Sequence, residues 1–183
     1  MAMPLTVPSY TIADLERFPE DGNRYELLDG VLLVTPASLP PHQVVVSRIQ
    51  AELVRYAQAP GRAHVVGPGA LEIAPKTHLE PDILVFPGDQ PLNRKWSAIR
   101  RWWLAVEVFS ESSVIYDREF KRNAYLAMGV PEVWLVDRIE EVVLVSRRGE
   151  PLDVPHAGIL TWQPPEMERP LRIDLPGVFQ GLE

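Results

Sequence analysis

Residues 102–110, WWLAVEVFS, decide the fold of this chain. In an extended strand alternate side chains point to opposite faces, and here both faces are apolar except at Glu107. A strand of this composition is buried on both sides, which indicates a sheet with layers packed against both faces. Because an unpaired buried carboxylate costs several kcal/mol, on the order of the penalties for buried charge, we expect Glu107 to have a specific partner.

A second apolar run, PDILVF at 81–86, carries an acid at its head. Asp82 follows Pro81, a residue that suits the start of a strand. If this strand pairs with 102–110, Asp82 and Glu107 converge near one end of the sheet. Close carboxylates are typical of a site for Mg²⁺ or Mn²⁺, which water and a substrate phosphate complete. Taken singly, Asp82 also fits a turn cap, and Glu107 also fits a pair with a buried arginine.

The segment YDREFKRNAYLAMG, 116–129, is predicted to be helical, with Phe120, Ala124 and Ala127 as its buried stripe. Lys121 lies at the margin of that stripe, where its stem can be buried while its ammonium group leans toward the sheet. Beside the two acids it would hold or help deprotonate a water molecule and offset charge on a phosphoryl transition state.

Asp117 and Tyr125 lie four residues before and after Lys121 and share its helix face. They are candidate accessory residues of the same site. The spacing of Asp117 and Lys121 equally fits an ordinary salt bridge within a helix.

The other elements follow from periodicity and turn residues. They are a short helix at 11–18 with Thr11 as N-cap, a hairpin about Asp29-Gly30, a helix at 42–58, strands within 64–74, and two strands that turn near Asp137 to Glu140. The order predicts an α/β (α+β) domain over 1–183, with a mixed central sheet flanked by helices and an N-terminal hairpin. Its core spans about 24–148, and the Pro-rich residues 151–183 form a wrapping tail.

Composition narrows the function classes. The chain has 183 residues and a net charge of -7, which argues against a protein that coats nucleic acid through a basic surface. A nuclease remains compatible with this net charge, because it concentrates acids at a metal site.

The absence of cysteine excludes thiol nucleophiles and Cys-based zinc sites. The start, MAMPLTVPSY, lacks the pattern of an export signal and no apolar run reaches 18 residues, so we expect a cytoplasmic protein with no membrane partner.

Several short motifs, in this order and spacing, resemble the Uma2 family of the restriction-endonuclease-like superfamily, which is named for its PD-(D/E)xK motif. They are Tyr25-Glu26-Leu27 with Asp29-Gly30, a helix opening at His42, Pro81-Asp82, Glu107-Val108 with Ser110, the spacing of Asp117, Lys121 and Tyr125, and Val136-Asp137 after a tryptophan. The resemblance is strong over about 24–137 and weaker in the tail, through LPGVF.

The resemblance implies a core of αβββαβ order. It also implies that Asp82 and Glu107 are metal ligands, with the Val108 carbonyl as a candidate third ligand, and that Lys121 is the catalytic lysine. Glu26 matches a family position and is either an additional acid near the site or a glutamate on the strand surface.

Two positions depart from the family pattern. Phe109 stands where the lysine of the acid-x-Lys motif is expected, so the lysine must come from the helix instead. Glu111 stands where the family tends to have proline, and we expect only a local effect on the loop.

Basic and aromatic residues alternate over 94–103, RKWSAIRRWW, a pattern that suits phosphate contact and base stacking. Arg94, Arg100 and Arg101 are therefore candidate DNA contacts. Trp103 fits a protein core or a subunit interface better, which leaves a homo-oligomer open.

Two histidines each fit more than one role. His78, Glu80 and Asp82 alternate and form an alternative N/O metal site, although His78 also fits a solvated loop. His42 fits a cap or a packed position at the start of its helix.

These observations favour an endodeoxyribonuclease dependent on Mg²⁺ (or Mn²⁺), with DNA as its partner. The alternatives are a nucleic-acid-binding or scaffold module without turnover on the same fold, and a different metal-dependent hydrolase.

Overall fold

The structure is a computed structural model that describes residues 8–92, 95–110 and 113–182. The strands in chain order are β1 (Arg24–Leu28), β2 (Val31–Thr35), β3 (Ala63–Val66), β4 (Leu71–Ile73), β5 (Thr77–Leu79), β6 (Ile83–Pro87), β7 (Leu104–Val108), β8 (Glu132–Asp137), β9 (Val142–Arg147), β10 (Val154–His156), β11 (Ile159–Trp162) and β12 (Leu171–Asp174). The α-helices are α1 (Ile12–Leu15), α2 (Pro40–Leu53), α3 (Arg122–Met128) and α4 (Leu175–Phe179). A π-helical turn, Val54–Gln58, extends α2, and a second one, Tyr116–Lys121, leads into α3. Residues Trp96–Ala98 form a 3-10 turn.

Within the described ranges, none of the helices has the length and apolar character that a membrane span requires.

A six-stranded mixed sheet forms the centre of the molecule, in the order β10-β9-β8-β7-β6-β3. Strands β3, β6 and β7 are antiparallel neighbours, whereas β7 and β8 run parallel and are joined through α3. The predicted order of helix, three strands, helix and strand is confirmed by α2, β3, β6, β7, α3 and β8. Every residue of β7 is buried, as its two apolar faces require.

A second sheet, in the order β2-β1-β5-β4, carries the predicted N-terminal hairpin. Asp29 and Gly30 at its turn have φ angles of 50° and 85°, the left-handed pair that suits the twist of a two-residue hairpin. A side chain at position 30 would also meet the Ser9 hydroxyl at 2.5 Å, so the site requires glycine. Strands β4 and β5 have three residues each, too few to show a period of their own.

Two apolar layers cover the central sheet. One consists of α2, through Val46, Ile49 and Leu53, together with residues of the C-terminal segment. That segment adds β10 to the sheet edge and buries seven residues in the same core: Leu160, Trp162, Leu171, Ile173, Leu175, Val178 and Phe179. The other layer consists of α3 and the β1-β5 sheet. The opposite face of β7, which carries Glu107, therefore looks toward α3 and β1.

The apolar stripe predicted for residues 116–129 is wrong at two of its three positions, and only Ala124 is half-buried and packs against the core. Phe120 is 49% exposed, Ala127 is exposed, and the buried face presents Asp117, Lys121 and Tyr125 instead. The first part of this helix is a π-helical turn, which changes the spacing of its side chains from the α-helical period. Polar residues can occupy the buried face because each of the three has charged or hydrogen-bonding partners there.

Candidate active site

Asp82 and Glu107 meet at one end of the central sheet. The register of β6 and β7 pairs Ile83 with Val106, so the next position along the two strands places Asp82 across from Glu107. Both side chains are buried. The convergence expected from the two apolar runs is therefore present in the structure.

The Asp82 carboxylate has three kinds of partner. Its Oδ2 accepts a hydrogen bond from the Val108 backbone N–H at 2.9 Å and lies 3.1 Å from His42 Nε2. Its Oδ1 accepts from Arg24 Nη1 and Nη2, each at 3.2 Å. Burial acts to raise the pKa of Asp82, but His42, Arg24 and the Val108 N–H together lower it. Asp82 is thus held as a carboxylate.

Glu107 lies in a different environment on the neighbouring strand. Its Oε1 accepts a hydrogen bond from the Tyr125 hydroxyl at 2.6 Å and from Lys121 Nζ at 3.4 Å. Burial raises the pKa of Glu107 well above its usual value, and the carboxylates of Asp117, Asp82 and Glu26 add to the shift against the opposing charge of Lys121. Burial and the charge of Glu107 likewise raise the pKa of Tyr125, so the phenol remains a donor.

Lys121 is enclosed by three carboxylates. Its Nζ lies 2.6 Å from Glu26 Oε2, 3.4 Å from Glu107 Oε1 and 3.4 Å from Asp117 Oδ1. Burial acts to lower the pKa of Lys121, but the three acids outweigh it and raise the pKa overall. The group therefore stays an ammonium ion, which can donate hydrogen bonds and charge but is a poor base. Of the two roles expected from the sequence, holding a water molecule fits this environment and deprotonating it does not.

Glu26 belongs to this buried group. It projects from β1, is fully buried, and accepts the Glu80 backbone N–H on Oε1 at 2.7 Å. Of the two readings that the sequence left open, an acid beside the site agrees with this position and a strand-surface glutamate does not. Asp117 is also buried. It is more than the partner in an ordinary salt bridge within a helix, because Lys121 also pairs with Glu26 on β1 and Glu107 on β7.

An open cavity of about 290 Å³ lies in front of these groups. Asp82, Glu107, Asp117 and Lys121 line one side, and loop residues 35–38 line the other. Arg24, His42 and Val108 also border it.

Carboxyl groups outnumber permanent cations in this cluster. Its four buried carboxyl groups, Glu26, Asp82, Glu107 and Asp117, share the permanent positive charges of Arg24 and Lys121. Among the described residues, no three His, Asp or Glu side chains are arranged to hold a metal ion by themselves. Mg²⁺ is commonly held by one or two carboxylates, with water and phosphate completing its shell. The pair Asp82 and Glu107, beside an open polar cavity with more carboxyl groups than permanent cations, fits such an ion.

The alternative metal site at His78 is wrong. The two ring nitrogens of His78 lie 3.1 Å from different carboxylates, Glu72 on Nδ1 and Glu80 on Nε2. Because these contacts lie on opposite sides of the ring, His78, Glu80 and Asp82 do not converge on one ion.

Sequence reasoning missed two residues of the site, Arg24 and His42. Arg24 lies two positions before Glu26 in β1, so strand alternation places both on one face and could have identified it. His42 was expected to cap or pack at the start of α2, yet it contacts Asp82 forty positions further along the chain. No local pattern signals a contact at that separation.

The proposed DNA-contact arginines lie elsewhere. Arg100 and Arg101 are exposed and neither borders the cavity, and Arg101 pairs with Asp89 and Glu166. Arg94 and Glu111 lie outside the described residues. Trp103 is buried in the core, in agreement with its apolar surroundings in the sequence.

Comparisons with known proteins agree with this architecture. The family model Uma2, described as "Putative restriction endonuclease", matches residues 12–183. Among solved structures, one described as "a putative nuclease belonging to DUF820" from Anabaena variabilis superposes with a TM-score of 0.73 and 16% sequence identity, and the alignment covers 94% of this chain and 99% of that chain. At that identity the likeness shows a shared fold. No curated protein matches the chain.

Proposed function

The chain belongs to the Uma2 family, and on that premise we propose that it is a Mg²⁺- or Mn²⁺-dependent endonuclease that hydrolyses phosphodiester bonds in DNA. One observation carries the proposal: Asp82 and Glu107 lie side by side, next to the Lys121 ammonium group, at the edge of an open polar cavity. The family description and the nuclease described for the similar fold support the same class of reaction.

Asp82 and Glu107 would hold the divalent cation, with the Val108 carbonyl as a third protein ligand. The bound cation supplies Lewis-acid polarisation of a phosphate oxygen and lowers the pKa of water. Asp82 is already ionised by its contacts with His42, Arg24 and the Val108 N–H. Glu107 has a raised pKa, so cation binding is coupled to release of its proton.

Lys121 would orient the attacking water and offset the negative charge that develops on the phosphoryl group. Its three carboxylate neighbours keep it protonated and fix its position. Tyr125 donates its hydroxyl hydrogen to the same Glu107 oxygen, Oε1, and helps to fix the carboxyl group. Since the site is buried, these charges act in a low dielectric and interact more strongly than they would in water.

The test compares Asp82→Asn with Asp89→Asn on plasmid, linear and branched DNA in Mg²⁺ and in Mn²⁺. Asp89 follows the same strand, β6, but is exposed and remote from the cavity, which makes it a matched control. We expect the first variant to lose cleavage by about 100-fold or more and the second to retain it. Mn²⁺ binding, measured by electron paramagnetic resonance, should weaken in the first variant alone. Cleavage by Asp82→Asn at the wild-type rate would refute the proposal.

A DNA-binding module without turnover is the second candidate. Two observations favour it: Phe109 stands at the usual lysine position, and Lys121 is fully engaged by carboxylates. DNA binding without cleavage in either metal would support this alternative. Cleavage that is lost in Lys121→Ala but present in the wild type would exclude it.

A further inference from the structure

We propose that Arg24 binds a phosphate group of the substrate beside the Asp82 carboxylate. The inference rests on the proposed nuclease function and adds a substrate-contacting residue to it. The comparisons and the family motif assign no role to this arginine.

The position of Arg24 places its guanidinium group between the two sheets. The residue opens β1, and its Nη1 donates to the Glu80 carbonyl at 3.0 Å as well as to Asp82. Its Nε lies 4.0 Å from Glu80 Oε2. The guanidinium is thus anchored next to the acid that would hold the cation, and it borders the cavity.

Exposure distinguishes Arg24 from the other basic groups of the site. Its side chain is 24% exposed, compared with 3% for Lys121 and 6% for His42. Lys121 is surrounded by carboxylates, and His42 lies against Asp82. Of these three basic groups, Arg24 is therefore the most accessible to an anion in the cavity.

The donors of Arg24 suit a phosphate. A guanidinium carries five N–H donors in a planar fork, and the three short contacts to Asp82 and the Glu80 carbonyl use only Nη1 and one bond from Nη2. The remaining donors on Nη2 and Nε match the oxygen spacing of a phosphate.

The charge of the site creates the need for such a contact. Asp82, Glu107 and Glu80 border the cavity and would repel an incoming phosphate. Arginine is permanently protonated and offsets this repulsion at the entrance. A purely structural role, as counter-ion to Asp82, would instead make Arg24 matter for cation binding and stability without any effect specific to phosphate.

The test measures binding of deoxythymidine 3′,5′-bisphosphate, a small ligand with no DNA sequence, by calorimetry in Ca²⁺. Arg24→Gln is compared with the wild type and with Arg118→Gln, which removes an arginine that also pairs with an aspartate but lies outside the cavity. Mn²⁺ affinity is measured for each protein in the absence of the nucleotide.

We expect Arg24→Gln to weaken nucleotide binding at least tenfold while Mn²⁺ affinity stays within twofold, and Arg118→Gln to change neither. Wild-type nucleotide affinity in Arg24→Gln overturns the inference. Equal losses of nucleotide and Mn²⁺ affinity also overturn it, because Arg24 would then act only through Asp82. If Arg24→Gln does not fold, Arg24→Lys carries the test, since it keeps the charge but loses the fork: binding at least threefold weaker supports the contact, and unchanged binding overturns it.

Failure of the proposed function gives a different result. If the wild-type protein binds the nucleotide through Arg24 but cleaves no DNA, the phosphate site is supported and only the nuclease function is refuted. If the wild-type protein cleaves DNA but Arg24→Gln binds the nucleotide normally, the nuclease function is supported and the Arg24 contact is refuted.

Discussion

Two buried glutamates on adjacent strands of one sheet have opposite surroundings. Glu107 on β7 is 2% exposed and Glu132 on β8 is 8% exposed. Glu132 accepts hydrogen bonds from Trp134 Nε1 at 2.6 Å and from Arg147 Nε at 2.7 Å, and β9 places Arg147 directly across from it. Glu107 instead shares Lys121 with two other acids and borders a cavity.

The difference shows which feature of a buried acid points to chemistry. Arg147, which also lies 3.6 Å from Glu150, offsets the charge of Glu132, so Glu132 and Arg147, which we call the Glu132 pair, form a matched ion pair. The group of Glu26, Glu107, Asp117, Lys121 and Tyr125, which we call the Glu107 cluster, has more carboxyl groups than cations and opens to solvent. Burial is common to both sites. The excess of carboxyl groups over cations, beside an opening to solvent, is what favours a cation and a substrate at Glu107.

The largest expected effect separates the two glutamates by activity. Glu107→Gln should reduce DNA cleavage in Mg²⁺ by about 100-fold or more, because it removes one of the two carboxylates proposed to hold the cation. Glu132→Gln should leave the rate per folded molecule within about twofold, since it does not border the cavity. Initial rates, normalised by the folded fraction from circular dichroism, measure both. Comparable losses in the two variants would remove the distinction.

The free energy of unfolding should separate the Glu107 and Glu132 variants in the opposite direction. Glu132→Gln should lower the free energy of unfolding by about 1–2 kcal/mol, because it weakens a charge-assisted hydrogen bond to a half-buried arginine. Glu107→Gln should not lower it in the absence of metal, since a neutral amide avoids the penalty of burying a charge among other carboxylates. Urea unfolding at neutral pH without divalent cations provides the measurement. A larger loss in Glu107→Gln than in Glu132→Gln would contradict the charge-excess interpretation.

The pH dependence of stability should identify Glu107 as a group whose ionisation destabilises the folded protein. Burial raises the folded-state pKa of Glu107 above the usual 4.5, so protonation stabilises the folded protein. That contribution is fully present below 4.5 and is lost as pH rises through the folded-state pKa. Without metal, the wild type should therefore lose stability relative to Glu107→Gln as pH rises above 4.5. Thermal unfolding of both proteins over a pH series tests this, and a constant difference between them would count against it.

The smallest effect is expected at the surface. Arg101 is 51% exposed and pairs with Asp89 and Glu166, so Arg101→Ala should change the free energy of unfolding by about 0.5 kcal/mol or less. If this arginine contacts a DNA phosphate, as its sequence context predicts, the slope of log affinity against log salt should decrease by about 1. Fluorescence anisotropy over a salt series measures the slope. An unchanged slope would confine DNA contact to other residues.

Local patterns predicted much of the fold. The two apolar runs predicted β6 and β7, and Asp29-Gly30 predicted the hairpin. The spacing over 42–58 predicted a helix, which the structure forms as α2 followed by a π-helical turn. The pairing of β6 with β7 followed once both runs were recognised as strands. These features depend on neighbours within a few residues, which a single sequence displays directly.

The buried face of the helical segment 116–129 could not be predicted from such local patterns. A search for apolar periodicity selects Phe120, whereas the structure buries Lys121, because the lysine finds acids on β1 and β7. Nothing within the helix itself shows that Glu26 and Glu107 will be its neighbours.

The sequence by itself determined the two apolar strands β6 and β7, the hairpin turn and the acids Asp82 and Glu107 on those runs, since hydrophobic patterning and turn chemistry are local properties. Only the tertiary structure decided which charges meet: that Asp82 contacts Arg24 and His42, and that one lysine serves three carboxylates. The physical reason is that the energy of a buried charge depends on groups within a few ångströms in space, and here those groups come from β1, α2, β7 and the π-helical turn before α3.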